Sequence, residues 1–167
     1  MSALAAIRFV ILSVPRTGSN YLCSQLNEHP EILCHHELFN LDGIRTAPGY
    51  SDGTFQFGTM EDRYADPLSF LGRVWSRPEG HRALGFKLAW RHDPRVFQAV
   101  HGDAGVRKIV LDRRNRLKMY VSEQVALREG RWTHYHIDPN ELQSIQVEID
   151  VADMRRYNGV MNAFFDE

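Results

Sequence analysis

The 167-residue sequence is poor in cysteine and has no long apolar run. Cys23 and Cys34 are its only cysteines. They form no Cys-x-x-Cys pair, so we expect two buried, small apolar residues rather than a disulfide or a metal site. No stretch approaches the roughly 20 apolar residues of a membrane span, and the apolar run at residues 7–14 lacks a basic leader and an Ala-x-Ala cleavage site. These absences favour a cytoplasmic protein without a membrane span.

The chain also lacks an excess of either charge. Its 20 Lys and Arg and 21 Asp and Glu give a formal net charge of −1, which offers no broad attraction for nucleic acid. Positive charge is concentrated at residues 113–118, which fits a small anionic ligand better. A hydrophobic content of 43% and a charged content of 25% are typical of a soluble globular protein. Without repeats or low-complexity tracts, the sequence predicts a single domain over residues 1–167.

Residues 8–22 carry the first informative motif. An apolar β-branched run ends at Pro15, and a short polar loop around Arg16 and Gly18 leads into a helical segment. Such a turn presents backbone N–H groups to an anion, and an arginine fork suits a multi-oxygen anion. The loop lacks the Gly-x-x-x-x-Gly-Lys-Ser/Thr pattern that holds the phosphates and magnesium of a nucleoside triphosphate. An ordinary strand-to-helix turn capped by Ser19 or Asn20 stays an open alternative.

A second basic segment follows another apolar strand. Arg114 ends the predicted strand at residues 106–112, and Ser122 lies about two turns into the helix that follows. Both residues could therefore face one crevice at the carboxyl edge of the sheet. The alternatives are a solvated basic face and a serine that hydrogen-bonds to its own helical turn.

Together the two segments resemble the fingerprints of the sulfotransferases that use 3′-phosphoadenosine 5′-phosphosulfate (PAPS). Residues 15–21 match the first fingerprint nearly position by position, with Asn20 in place of the usual second hydroxyl residue. Residues 114–122 have the order and spacing of the second. The resemblance implies that Arg114 and Ser122 bind the 3′-phosphate. It assigns the 5′-phosphosulfate to the loop residues Arg16, Thr17, Gly18, Ser19, Asn20 and Tyr21, with Arg16 also stabilising charge on the leaving phosphate.

Residues 27–33 and 36–40 resemble the rhizobial Nod-factor sulfotransferases and, more distantly, the trehalose-sulfating bacterial enzymes. Residues 85–90 resemble a third-strand segment of the same family. The resemblance implies that Glu37 is the general base. His36 precedes it, and we interpret His36 as a neighbour that orients Glu37 or the acceptor. A solvated carboxylate at a strand end is the alternative for Glu37. The implied reaction transfers a sulfuryl group to a hydroxyl of a saccharide or other small acceptor, releases adenosine 3′,5′-bisphosphate, and requires no metal.

The apolar patterns predict an α/β fold, P-loop-like and three-layered, with a mostly parallel central sheet flanked by helices. The long connection at residues 41–82 should contain a helix of its own and form the acceptor side. The predicted strands lie near residues 8–14, 31–36, 83–89 and 106–112, and the predicted helices near 19–28, 60–75, 93–101, 115–129 and 139–165.

The chain departs from the family pattern at its end. The family continues with a further strand and a C-terminal segment, whereas this sequence stops at Glu167. We expect a fragment, a shortened variant, or a chain that completes its sheet as a homo-oligomer. A non-catalytic nucleotide-binding or oligomerisation module is therefore an alternative function, and a P-loop-like kinase is disfavoured by the missing lysine. A metal site is also disfavoured, because the histidines that could serve as ligands form no recognised ligand spacing. These histidines are His35, His36, His81, His92, His134 and His136.

Overall fold

The computed structural model describes residues 5–50, 57–89, 91–130, 132 and 146–166. The chain forms two compact units. The first, here called the sheet unit, consists of the chain up to Ser13 and of Ser19–Leu111. The second, here called the helix unit, consists of Val14–Gly18 and of the chain from Asp112 onward.

The sheet unit is built on a four-stranded, all-parallel sheet with the order β2-β3-β1-β4. Its elements are β1 (Ile7–Ser13), α1 (Ser19–Asn27), β2 (Ile32–His35), α2 (Met60–Ala65), α3 (Pro67–Trp75), β3 (Ala83–Ala89), α4 (Pro94–Gly102) and β4 (Val106–Leu111). The helix unit contains α5 (Arg116–Glu129) and α6 (Val151–Asp166). The predicted α/β fold with a parallel sheet flanked by helices is confirmed.

Strand β1 lies between β3 and β4, and its interior is fully buried. Val10 and Ile11 are both 0% exposed, as expected for an inner strand of a parallel sheet covered on both faces. The chain leaves β1 towards β2 and leaves β3 towards β4, on opposite sides of the β1–β3 pair. In open α/β sheets, ligands bind at the carboxyl ends of strands where successive connections diverge in this way. The topology therefore predicts a ligand site at the carboxyl ends of β1 and β3.

Cys23 and Cys34 are free and buried. They pack with Phe9 and Ile11 in one core cluster, which confirms the prediction that both act as small apolar residues. None of the helices in the described part of the chain is long and apolar enough to cross a membrane.

Gly85 on β3 is required by the close approach of Phe9 on β1, its register partner. A Cβ at Gly85 would lie 2.4 Å from Cε2 of the Phe9 ring, and that ring is only 6% exposed. We expect Gly85→Ala to lower the free energy of unfolding by about 1–3 kcal/mol through overpacking, as measured by denaturant unfolding. Gly72→Ala in α3 is the control, because a Cβ there meets nothing within 4 Å. A Gly85→Ala protein as stable as the control would contradict this account.

Two helix predictions need adjustment. The predicted helix near 60–75 is divided into α2 and α3 at Asp66, whose side chain accepts a hydrogen bond from Ser69 N and caps α3. The predicted helix at 139–165 is wrong over residues 146–150, which are not helical. Helix α6 begins at Val151 because Asp150 Oδ1 accepts hydrogen bonds from Ala152 N at 2.8 Å and Asp153 N at 3.1 Å. The first part of that prediction, residues 139–145, lies outside the described residues.

Candidate functional site

A buried lysine and a carboxylate form the centre of the candidate site in the sheet unit. Lys87 on β3 is 5% exposed, and its Nζ forms an ion pair with Glu37 Oε1. The same Nζ donates a hydrogen bond to Asn20 Oδ1 at 2.7 Å. Asn20 lies in the first turn of α1, and Glu37 follows β2 by two residues. The cluster therefore joins the carboxyl ends of β1, β2 and β3.

The surroundings of Glu37 keep its carboxylate ionised. Burial by itself would raise the pKa of Glu37, but the charge of Lys87 and hydrogen bonds from Lys87 and Asn40 outweigh burial, so the pKa lies below its ordinary value. Asn40 Nδ2 donates to Glu37 Oε2, so each carboxylate oxygen has a donor. The side chain of Glu37 is still 22% exposed. A carboxylate that is ionised and partly accessible can accept a proton from a bound hydroxyl group.

His92 is a neutral neighbour of this cluster. Burial lowers the pKa of His92 to about 4, with the charges of Lys87 and Arg63 acting in the same direction and Glu37 opposing them. Its Nδ1 accepts a hydrogen bond from Ala89 N at 3.1 Å. At neutral pH His92 therefore adds no positive charge beside Glu37.

Arg63 on α2 holds the segment that follows Glu37. Its guanidinium donates to Leu38 O at 2.6 Å, Asn40 O at 2.7 Å and Gly43 O at 3.0 Å. The residue is only 3% exposed, and three carbonyl partners satisfy a donor group that would be costly to bury unpaired. The connection at residues 41–82 thus supplies a residue that fixes the backbone beside the candidate base.

A cavity of about 170 Å³ lies in the sheet unit, and it shares His92 with the surroundings of Glu37. Its lining combines aromatic, aliphatic and charged side chains: Phe39, Leu41, Arg63, Tyr64, Arg91, His92, Asp93 and Pro94. Its mixed lining resembles that of a small-molecule site, but its volume lies below the roughly 300–1,000 Å³ that is usual for one.

In the helix unit, Arg16 forms hydrogen bonds with residues far from it in the sequence. Its Nε donates to Ser122 Oγ at 2.8 Å, and its Nη1 donates to Trp132 O at 2.7 Å. Arg113 in turn donates from Nη1 to Arg16 O at 3.1 Å. Arg16 has a φ of +64°, a left-handed conformation that non-glycine residues rarely adopt and that is enriched at functional sites. The loop therefore fixes this arginine in an unusual backbone conformation.

Two other predicted loop residues, Thr17 and Gly18, serve the local turn in the structure. Thr17 Oγ1 donates to Val14 O at 3.0 Å, and Gly18 has a φ of +93°. Ser19 begins α1 and is 6% exposed, whereas Tyr21 is 71% exposed.

Arg114 is exposed between β4 and α5. Within the described ranges, no hydrogen bond joins Arg114 to Ser122, and the partner of Ser122 is Arg16 instead. The structure thus brings together Arg16 with Ser122, and Asn20 with Glu37 through Lys87. Lys87 and Arg63 were not among the predicted site residues. The available signal was the lysine inside the apolar strand Ala83–Ala89, because lysine is almost never fully buried unless it is paired.

The histidines do not form a metal centre within the described ranges, where no group of three or more His, Cys, Asp or Glu residues is placed to hold an ion. His134 and His136, which the sequence also suggested as ligands, lie outside those ranges.

The chain is similar to two rhizobial proteins. It is 29% identical over 147 residues to Nodulation protein H of Rhizobium tropici, a match that covers 85% of this chain and 55% of that protein. It is 26% identical over 145 residues to Nodulation protein H of Rhizobium meliloti strain 1021, covering 82% of this chain and 54% of that protein. The chain thus spans about half the length of the curated relatives it matches. No protein-family profile matches it, and no solved structure gives a significant match.

Proposed function

We propose that this chain acts as a sulfotransferase that transfers a sulfuryl group from PAPS to a hydroxyl of a saccharide or related small acceptor. The observation that carries the proposal is the ionised Glu37, held by Lys87 at the sheet edge and joined through it to Asn20. The similarity to two Nodulation protein H sequences supports a sulfotransferase relationship. The sulfur donor and the acceptor class follow from the resemblance of residues 15–21, 27–40 and 114–122.

The loop and the residues after β4 fit a donor that carries two anionic groups. Arg16 offers a planar guanidinium, and the loop ends at the N-terminus of α1, where backbone N–H groups favour an anion. Arg114 is exposed and can reach a ligand phosphate from solvent. Ser122 Oγ accepts from Arg16 and keeps its own hydroxyl proton for donation. We assign the 5′-phosphosulfate to residues 16–21 and the 3′-phosphate to Arg114 and Ser122.

Sulfuryl transfer requires a proton acceptor for the attacking hydroxyl group and stabilisation of the charge that develops on the leaving phosphate. Glu37 accepts the proton of the attacking hydroxyl group. Arg16 and the loop N–H groups stabilise the negative charge that accumulates as the sulfuryl group leaves. No metal is required, because the transferred group carries one negative charge rather than two.

The acceptor side is assigned to the connection at residues 41–82. Leu41 and Tyr64 of this connection line the cavity near Glu37, and Tyr64 is 48% exposed. An exposed aromatic ring offers an apolar face to a sugar ring.

A thermal-shift comparison tests the proposal. Adenosine 3′,5′-bisphosphate should raise the melting temperature, because a ligand that binds the native state stabilises it, whereas ATP with Mg²⁺ should not. Stabilisation by ATP with Mg²⁺ alone would contradict a sulfotransferase and favour the kinase alternative. Binding of the bisphosphate without transfer from PAPS to any member of a saccharide panel would favour a non-catalytic nucleotide-binding module.

The 3′-phosphate assignment makes a separate prediction. Arg114→Ala should weaken adenosine 3′,5′-bisphosphate binding by about tenfold or more, the value of one charge-assisted hydrogen bond, and should barely change adenosine 5′-phosphate binding. Calorimetric titration with both nucleotides measures the difference. Arg107→Ala is the control, since Arg107 is also exposed but lies on β4. Equal losses for the two nucleotides would remove Arg114 from the 3′-phosphate site.

A further inference from the structure

His92 is a buried histidine in the wall of the cavity near Glu37. Two hydrogen bonds tie it to Ala89 at the carboxyl end of β3. Its Nδ1 accepts from Ala89 N at 3.1 Å, and its main-chain N donates to Ala89 O at 3.0 Å. Only 8% of the residue is exposed. The position of the imidazole ring is therefore set before a ligand binds.

The bond from Ala89 also fixes which ring nitrogen carries the proton. A ring nitrogen that accepts a hydrogen bond is unprotonated, so the neutral ring carries its proton on the other nitrogen, Nε2. Burial keeps the ring neutral, because it lowers the pKa of His92 to about 4. Within the described ranges, Nδ1 has this backbone partner and no hydrogen bond engages Nε2. His92 thus keeps one neutral N–H donor for a ligand.

Three other polar side chains of the cavity wall already have protein partners. Arg63 donates to three carbonyl oxygens, the Tyr64 hydroxyl donates to a fourth, and Asp93 forms an ion pair at 2.7 Å with a neighbouring arginine. The ring of Tyr64 leaves an aromatic surface, since that residue is 48% exposed. A neutral donor beside an aromatic surface suits the oxygens and the apolar face of a sugar.

We propose that His92 is a specificity-determining residue whose Nε2–H donates a hydrogen bond to an oxygen of the acceptor sugar other than the one that is sulfated; this rests on the proposed sulfotransferase function. The cavity of about 170 Å³ is smaller than a usual small-molecule site, so it accommodates a part of the acceptor. Because the bond does not involve the reacting oxygen, it stabilises the bound substrate and the transition state alike. Its loss should raise KM for the acceptor and change kcat little.

The first test compares His92→Asn with His29→Asn. Asparagine can place its amide oxygen near the position of Nδ1 and accept from Ala89 N, but it has no atom at the position of Nε2. With trehalose, cellobiose and N,N′-diacetylchitobiose as acceptor probes, His92→Asn should raise KM about tenfold, the value of one hydrogen bond. Its kcat and its affinity for adenosine 3′,5′-bisphosphate should stay within a few fold of the wild type.

His29 is the matched control, because its Nδ1 also accepts from a main-chain N–H, that of Glu31 at 3.2 Å, and the residue is exposed. Glutamine at position 92 reaches further than asparagine and restores an N–H group, so His92→Gln should recover part of the lost KM. An unchanged KM in His92→Asn, or an equal rise in His29→Asn, would overturn the proposal.

Removal of an oxygen from the acceptor is the complementary test. Among the monodeoxy derivatives of the best disaccharide that are still sulfated, one should have a KM about tenfold higher with the wild type. With His92→Asn that derivative and its parent should have the same KM, since both changes remove the same bond. If every such derivative has the same KM ratio to its parent in both proteins, His92 does not bind the sugar.

Nitrogen NMR of the wild type tests the proposal even if His92→Asn does not fold. The imidazole of His92, identified by its contact with the Ala89 amide, should be neutral with its proton on Nε2. Addition of the best disaccharide to the complex with adenosine 3′,5′-bisphosphate should shift the Nε2 resonance. A proton on Nδ1, or an Nε2 resonance that the disaccharide leaves unchanged, would contradict the proposal.

Failure of the proposed function and failure of the role of His92 are distinguishable. If the wild-type protein neither binds the bisphosphate nor transfers the sulfuryl group, both are wrong. If the wild-type protein sulfates a disaccharide while His92→Asn keeps the wild-type KM, only the role of His92 is wrong. Sulfation of a simple phenol but of no disaccharide would likewise refute the binding of a sugar by His92.

Discussion

Replacing Glu37 with Gln should lower turnover about 10²–10⁴-fold, the usual contribution of a general base, while the affinity for adenosine 3′,5′-bisphosphate changes little. Gln has nearly the same shape and can still accept a hydrogen bond from Lys87, but it cannot take up a proton at neutral pH. The measurement pairs steady-state sulfuryl transfer with calorimetric binding. Glu31→Gln is the control, because Glu31 is an exposed carboxylate whose ion-pair partner is Arg82. A Glu37→Gln protein with wild-type turnover would remove Glu37 as the base.

The pH dependence provides a second readout for Glu37. Its pKa is lowered from the ordinary value of 4.5, and a base acts only when it is unprotonated. The acid limb of kcat/KM should therefore lie below pH 4.5, with activity lost as the pH falls through the lowered pKa. The stability that this depressed pKa provides is likewise present above the unfolded-state pKa and is lost as the pH falls. In Lys87→Met, burial is no longer opposed by the ammonium charge, and the limb should move to higher pH.

Replacing Arg16 with Ala should lower kcat about 10²–10³-fold and weaken the binding of PAPS and of adenosine 3′,5′-bisphosphate. Arg16 is the cation of the loop, and its guanidinium lies within hydrogen-bond distance of Ser122. Lysine at this position would keep the charge but lose the planar fork, so Arg16→Lys should lie between the wild type and Arg16→Ala. Turnover and calorimetric affinity measure the effect.

The backbone conformation at position 16 allows the three residues Arg, Lys and Ala to be compared without a difference in backbone strain. Alanine and lysine must adopt the same left-handed φ of +64° that Arg16 already adopts, so these variants add no new backbone strain. Arg128→Ala is the matched control, since Arg128 lies near the end of α5 in the same unit and donates to Gln146 O. If Arg16→Ala and Arg128→Ala had the same kcat and the same affinities, Arg16 would have no role in transfer.

The strands and the loop were predictable because their signals are local. The apolar run before Pro15 predicts a buried strand, and Gly18 marks the turn that follows it. The partners of the site residues are not local: Arg16 and Ser122 are 106 residues apart, and Lys87 and Asn20 are 67 residues apart. Whether a lysine in a short strand faces solvent or a partly buried carboxylate depends on which strands become neighbours.

The start of α6 was missed for a different reason. An Asp-Pro pair at residues 138–139 is a helix-start signal, and Asp150 is a second one twelve residues later. The sequence pattern alone does not show which of these two signals starts the helix. In the structure the carboxylate of Asp150 is the cap of α6, since it accepts hydrogen bonds from the first-turn N–H groups of Ala152 and Asp153.

Arg63 has a consequence for how this scaffold can diversify. Among the described residues, its hydrogen bonds go to main-chain carbonyl oxygens of Leu38, Asn40 and Gly43, and every amino acid supplies such an oxygen. Substitutions at exposed positions such as Leu41, which lines the cavity and is 57% exposed, therefore leave the hold of Arg63 on the backbone intact. For the proposed function, this arrangement separates acceptor preference from proton transfer: side chains of this segment can change while the backbone beside Glu37 is held in the same place.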